Sequence, residues 1–235
     1  VLLDSVASRL GRTTLEVEDL CGGYEGHICF SDFSYIFLKG DRIGIIGKNG
    51  CGKTTLMKIL AGTKEPLSGT RTAGITLKIG YYTQEIASDP SAGVSYMNPE
   101  KRVIDYIRDT AEYVRTPEGS VSASVMLDRF LFPPAMQQQL IRSLSGGEKK
   151  RLYLLRVLME EPNLLLLDEP ANDLDIRTME VLEDYLDRFD GIVVTVSHDR
   201  YFLDRCVRRV FAFEEDGKLH QYEGGYSDYA AKKRE

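Results

Sequence analysis

The segment DRIGIIGKNGCGKTTLMKILAG, residues 41–62, leaves this chain few folds to choose from. DRIGIIG is a short continuous apolar run, the kind buried on both faces of a parallel sheet. KTTLMKILAG, from Lys53, reads as a helix closed by Gly62. Between them, Gly47 to Thr54 fits the spacing G-x-x-x-x-G-K-[ST]. A glycine-rich turn joining a buried strand to a helix lets backbone N–H groups curl around phosphates, and the helix dipole favours the same negative charge. Lys53 then reaches the β- and γ-phosphates, and the Thr54 hydroxyl can hold Mg²⁺. The phosphate cradle comprises Gly47, Asn49, Gly50, Cys51, Gly52, Lys53, Thr54 and Thr55.

The rest of the chain supplies the sheet this unit needs. TLEVEDL (14–20) and HICFSDFSYIFL (27–38) are β-like, as is ITLKIGYYTQE (75–85). NLLLLDE (163–169) and GIVVTVS (191–197) read as fully buried strands, and RVFAFEEDGKLHQY (209–222) as a hairpin turning at Asp216-Gly217. IRTMEVLEDYLDRF (176–189) puts Met179, Leu182, Leu186 and Phe189 on one helical face. Residues 100–161 look helical, broken by Pro117, Pro133 and Pro134. Strands alternating with helices predict a mainly parallel core sheet carrying a helical insertion.

LLLLDEP (164–170) ends a buried strand on two carboxylates at the sheet's carboxyl edge, where α/β proteins bind ligands. Side chains alternate along a strand, so Asp168 is expected to serve the metal shell and Glu169 the attacking water. LSGGEKKR (144–151) poses a different question, because Ser145, Gly146 and Gly147 open a helix-like run and make a second anion site about ninety residues away. Net charge is −6, which argues against nucleic-acid binding by the whole surface. Two basic stretches remain, one at Lys149, Lys150, Arg151 and Arg156 and one at Arg205, Arg208 and Arg209; each reads either as a nucleic-acid contact or as a solvated helix face. The four cysteines show no C-x-x-C pairing or zinc spacing, as expected of reduced thiols. Cys51 lies inside the phosphate nest, which is expected to favour its thiolate; the alternative is a small residue filling a tight turn.

The ordered set GKNGCGKTT, YYTQE, LSGGEKKR, LLLLDEP, NDLD and SHD resembles an ATP-binding-cassette (ABC) ATPase domain over nearly the whole chain. The resemblance implies an α/β P-loop NTPase fold: a mainly parallel core sheet, an antiparallel β subdomain and a helical signature subdomain at about 90–160. It implies ATP and Mg²⁺ as cofactors, Tyr24 as the platform for adenine, Gln84 as the glutamine that senses Mg²⁺ and water, and His198 as the switch histidine. Glu169, His198, Gln84 and Lys53 are then the catalytic set, with Thr54, Gln84 and Asp168 at the metal. His27 and His220 match no motif and read as structural. Ser145, Gly146, Gly147 and Asp175 are expected to serve the nucleotide of a facing cassette, which explains two phosphate sites on one chain: they are two half-sites.

The wording SHDRYFLDR, GEKKR and the tail EEDGKLHQYEGGYSDYAAKK is similar to the ABC-F branch, most like the second cassette of Uup-type members. Residues 1–12 then end a preceding linker, 13–229 form one ABC domain and 230–235 begin a C-terminal extension. The branch implies a cytoplasmic protein with no membrane subunit, acting on the ribosome or its RNA, with possible DNA contact through that extension. The second cassette is the N-terminal one of a longer chain or a homodimer mate. Two alternatives stay open: the ATP-binding subunit of a membrane transporter, and an ATP-gated non-catalytic module. Ala171 departs from the branch, which more usually has Thr beside the catalytic Glu.

Overall fold

The computed structural model describes residues 14–83 and 93–234. An antiparallel ribbon, β1 (Leu15–Tyr24) and β2 (His27–Phe37), precedes β3 (Arg42–Ile46) and α1 (Lys53–Ala61). β4 (Ser68–Ala73) and β5 (Ile79–Tyr82) follow. Next come α2 (Val103–Arg108), a hairpin of β6 (Tyr113–Thr116) and β7 (Gly119–Ser122), α3 (Ala123–Arg129), α4 (Pro134–Gln137) and α5 (Gly146–Met159). The chain then runs through β8 (Leu164–Asp168), α6 (Pro170–Asp173), α7 (Ile176–Arg188), β9 (Ile192–Val196) and α8 (Arg200–Cys206). It closes with β10 (Arg209–Phe213), β11 (Leu219–Glu223) and α9 (Tyr226–Lys232).

The main sheet has the order β11-β10-β3-β9-β8-β5 and is parallel except for the edge strand β11. A second, antiparallel sheet has the order β2-β1-β4. Strand alternation divides the core between the two sides of the main sheet. Leu164 and Leu166 of β8 pack with Phe30, Phe37, Leu56 and Ile59 from the antiparallel side and α1. Leu165 and Leu167 pack with Leu152, Leu155, Leu182 and Phe202 of the helical side. Burial on both faces is why β8 reads as an unbroken apolar run.

Two expectations need correction. The strand expected over 75–85 is paired only at Ile79–Tyr82, while residues 84–85 lie outside the described residues. Before it, the buried Asn163 side chain replaces strand pairing: its Oδ1 accepts from the Lys78 N–H, and its Nδ2 donates to the Thr76 carbonyl, each at 2.7 Å. The 100–161 block contains the β6–β7 hairpin, with Pro117 in its turn and Gly119 at φ 122° rather than a broken helix. Pro133 and Pro134 start α4 instead of ending a helix, since Pro at the first helical position loses no hydrogen bond. Among the described residues no helix is long and apolar enough to cross a membrane.

Candidate nucleotide site

β3, at the centre of the sheet, delivers the chain to the 47–52 loop at the carboxyl edge. Gly50 (φ 79°) and Gly52 (φ 114°) adopt left-handed conformations there. A Cβ at Gly52 would fall 2.5 Å from the Cβ of Cys29, so only glycine fits between α1 and β2. The first turn of α1 has neither a capping side chain nor an acidic residue, so its N–H groups stay open to an anion. Lys53 folds back over the loop, its Nζ donating to the carbonyls of Gly47 and Lys48 at 2.8 Å each.

Asp168 ends β8 and is 7 % exposed. Burial, and secondarily the neighbouring Glu169 charge, push its carboxyl up to about 6, against a hydrogen bond from the Thr54 hydroxyl (3.3 Å). Glu169 adopts a left-handed conformation (φ 51°) although it is not glycine. Its N–H still bonds the Val196 carbonyl of β9 at 2.8 Å. The two carboxylates therefore diverge as expected from the sequence, but because of this backbone turn rather than strand alternation. Glu169 faces His198, whose Nε2 lies 3.1 Å from Oε1 and whose backbone N–H donates to Oε2 at 3.3 Å.

Tyr24, at the end of β1, lines a cleft of about 810 Å³ that also takes in Asn49, Gly50, Gly52, Lys53, Thr54, Thr55, Asp168, Glu169 and His198. Gly47 and Cys51 shape the loop without lining the cleft, and Gln84 lies outside the described residues. His27, read from the sequence as structural, does line the cleft, as do Cys29, Lys58 and Asn172. Lys58 left a signal in the sequence, one helical turn beyond Thr54 on α1, whereas His27 is brought in by pairing with Tyr24 across the Glu25-Gly26 turn.

Ser145, Gly146, Gly147 and Asp175 do not line this cleft. Ser145 caps α5 in a reciprocal box: its Oγ accepts from the Glu148 N–H (3.2 Å), and Glu148 accepts from the Ser145 N–H (2.7 Å). Asp175 caps α7, accepting from the Thr178 N–H at 2.8 Å. Thr54 and Asp168 together present the hard oxygen donors that suit Mg²⁺, and Asp168 is a buried carboxylate that accepts a hydrogen bond from the Thr54 hydroxyl. The residues present fit that ion.

The family profile described as ABC transporter matches residues 30–172, more than half of the chain. The chain belongs to this family. The cassette is 54 % identical over 222 residues to an uncharacterized ABC transporter ATP-binding protein, YfmR, of Bacillus subtilis, covering 94 % of this chain and 34 % of that protein. It is 40 % identical to the ATP-binding protein Uup of Escherichia coli K12, covering 94 % and 34 %. It is 37 % identical to the energy-dependent translational throttle protein EttA of Mycobacterium tuberculosis H37Rv, covering 98 % and 40 %. These relatives agree with the ABC-F, Uup-like resemblance read from the sequence, and the cassette spans roughly a third of their length. Among solved structures, the ATP binding subunit of an ABC transporter superposes with TM-score 0.73 at 21 % identity, covering 94 % of each chain. A dimeric post-hydrolysis state of the cassette MJ0796 bound to ADP and Pi superposes with TM-score 0.67 at 18 % identity, covering 89 % and 98 %. Both share the fold.

The structure bears on two alternatives left open by the sequence. The Cys51 thiol is pushed up by burial, which outweighs the lowering by Lys53, so the nest does not favour a thiolate. The basic stretches are largely neutralised. Lys150 pairs with Asp173, and Arg151 is buried over the Phe132 ring and beside Asp175. Arg205 bonds Glu183, Asp184 and Asp187, and Arg209 bonds Glu223. Ala171 packs half-buried against the helical-side core.

Proposed function

We propose that this ABC ATPase cassette, residues 13–229, binds MgATP in the Tyr24–His198 cleft and hydrolyses it when a second cassette closes over that site. The observation that carries the reading is the divergence of Asp168 and Glu169 from one strand end, toward Thr54 and His198 respectively. In this reading Thr54 and Asp168 hold Mg²⁺, which supplies charge neutralisation at the phosphates. Lys53 exchanges its two loop carbonyls for phosphate oxygens, and the loop and α1 N–H groups hold the remaining ones. Glu169 accepts the proton of the attacking water, with His198 holding its carboxylate in place. Gln84 contributes to the metal shell as its motif implies.

Ser145, Gly146, Gly147 and Asp175 face the nucleotide of the opposing cassette, and this cassette's nucleotide receives the same groups in return. The structural likeness to the dimeric MJ0796 cassette with ADP and Pi supports the pairing, and the similarity to Uup and to the translational throttle protein EttA supports a cytoplasmic ABC-F protein acting in translation through the ribosome. The local charge pairing favours placing RNA or DNA contacts outside this cassette's two basic stretches.

The test is ATP turnover against protein concentration, beside Glu169→Gln and Ser145→Arg. Expected are a faster-than-linear rise and a loss of about 10²–10⁴ in kcat for Glu169→Gln with ATP still bound. Turnover proportional to concentration and indifferent to Ser145 would refute the paired site. For the longer protein, ribosome co-sedimentation of the Glu169→Gln variant with ATP tests the translation assignment.

A further inference from the structure

We infer that Lys64 is a positioning residue of the nucleotide site, holding the Tyr24 ring as a platform with one free face for the base. The inference rests on the proposal above that a nucleotide lies in this cleft with its base at Tyr24.

Tyr24 is 51 % exposed, so core packing does not fix its ring. Two contacts do. The Thr55 hydroxyl, in the first turn of α1, donates to the Tyr24 phenol oxygen at 3.3 Å and tethers the far end of the ring. The Lys64 Nζ lies 4.4 Å from the ring centroid, within the distance at which an ammonium is drawn to an aromatic face. Tyr24 lines the cleft and Lys64 does not, and we assign the ammonium to the ring face turned away from the cleft.

The segment carrying Lys64 is anchored at both ends. Gly62 and Thr63 donate to the carbonyls of Ile59 and Lys58 on α1, at 3.0 Å each, and Leu67 donates to the Cys21 carbonyl on β1 at 2.8 Å. Lys64 therefore hangs between the helix that starts at the phosphate loop and the strand that ends in Tyr24. Among the described residues it forms no ion pair, which leaves the ring as its partner. A ring already fixed on one face loses less freedom when a base stacks on the other, and that saving appears as affinity.

The consequence is specific to the base. Lys64→Met keeps the apolar stem and removes the charge, and is expected to weaken ATP binding about two- to fivefold, the range of a partly exposed cation–π contact. Inorganic tripolyphosphate, which has no base, is expected to lose less than that. Lys64→Arg restores ATP binding, and Lys64→Met has no further effect on ATP in a Tyr24→Leu background. Isothermal titration calorimetry with ATP and with tripolyphosphate, each with Mg²⁺, reads the wild type and the four variants. Equal weakening of both ligands, or a Lys64→Met effect that survives Tyr24→Leu, would mean that the lysine acts as a general cation and would overturn the inference. If Tyr24→Leu shifts the ratio of ATP to tripolyphosphate affinity and Lys64→Met does not, the Lys64 inference alone falls. If Tyr24→Leu leaves that ratio unchanged, the base-platform reading falls and takes this inference with it.

Discussion

Asp168 is a carboxyl displaced well above its ordinary range at the heart of the proposed site. Its carboxyl is raised from the ordinary 3.8 to about 6, chiefly by burial. A carboxyl raised on folding holds its proton longer in the folded state, so deprotonation opposes folding. The cost is absent below 3.8, grows between 3.8 and 6, and is complete above 6. At 1.36 kcal/mol for each pKa step it amounts to about 3 kcal/mol near pH 8 and about 1 kcal/mol near pH 4.5. Asp168→Asn removes the charge while keeping an acceptor for the Thr54 hydroxyl. It should therefore stabilise the nucleotide-free protein near pH 8 by up to about 3 kcal/mol. For a chain of 235 residues that is a rise in Tm of about 6–12 °C. Thermal unfolding of both proteins across pH, without and then with MgATP, is the assay. If Asp168 holds Mg²⁺ as proposed, MgATP should reverse the order, because the charged carboxylate is a stronger ligand than the neutral amide. Melting curves that differ by a constant amount from about pH 4.5 to pH 8 would refute the reasoning, since burial of an ionised Asp168 would then cost nothing.

Other outcomes follow from local geometry. Gly62 closes α1 at φ 77°, with the Arg71 guanidinium 3.3 Å from where a Cβ would lie, so Gly62→Ala should cost about 1 kcal/mol in denaturant unfolding. Burial raises the thiols of Cys51 and, up to about 12, Cys206; near pH 7.5 both should alkylate more slowly than a free thiol, Cys206 the slower, as peptide mapping would show. Arg205 bonds three carboxylates at 2.8–3.1 Å but is itself exposed, so Arg205→Ala should cost under about 1 kcal/mol, and less at high salt.

The sheet and the phosphate loop were legible because each left a dense local pattern. β8 and β9 are buried on both faces and so spell continuous apolar runs, and the loop carries its glycines where positive φ or close approach requires them. The β6–β7 hairpin was not legible, since it inserts only Val114 into the core beside a partly buried Val121. Two residues carry no readable period. The pairing of the basic stretches was hidden for another reason: Arg205 finds its carboxylates 18 to 22 positions back, on α7. His27 acquires its place in the cleft by cross-strand pairing with Tyr24, a relation set by the hairpin and not by any motif.

The signature loop shows the reverse case, residues legible in sequence whose reason is not found in their own chain. Gly146 and Gly147 open α5, yet a Cβ built on either meets nothing within 4 Å, and neither has a positive φ. Glycine in a helix costs up to about 1 kcal/mol relative to alanine, and here no close packing within the cassette offsets it. Ser145 accepts from the Glu148 N–H, which satisfies the helix end but leaves the hydroxyl's own proton to donate elsewhere. A backbone stripped of side chains at the positive end of a helix, with a hydroxyl that has a proton to give, suits close approach by an anion. That surface lies outside the Tyr24–His198 cleft, which is why the function proposed above gives it to the nucleotide of a facing cassette.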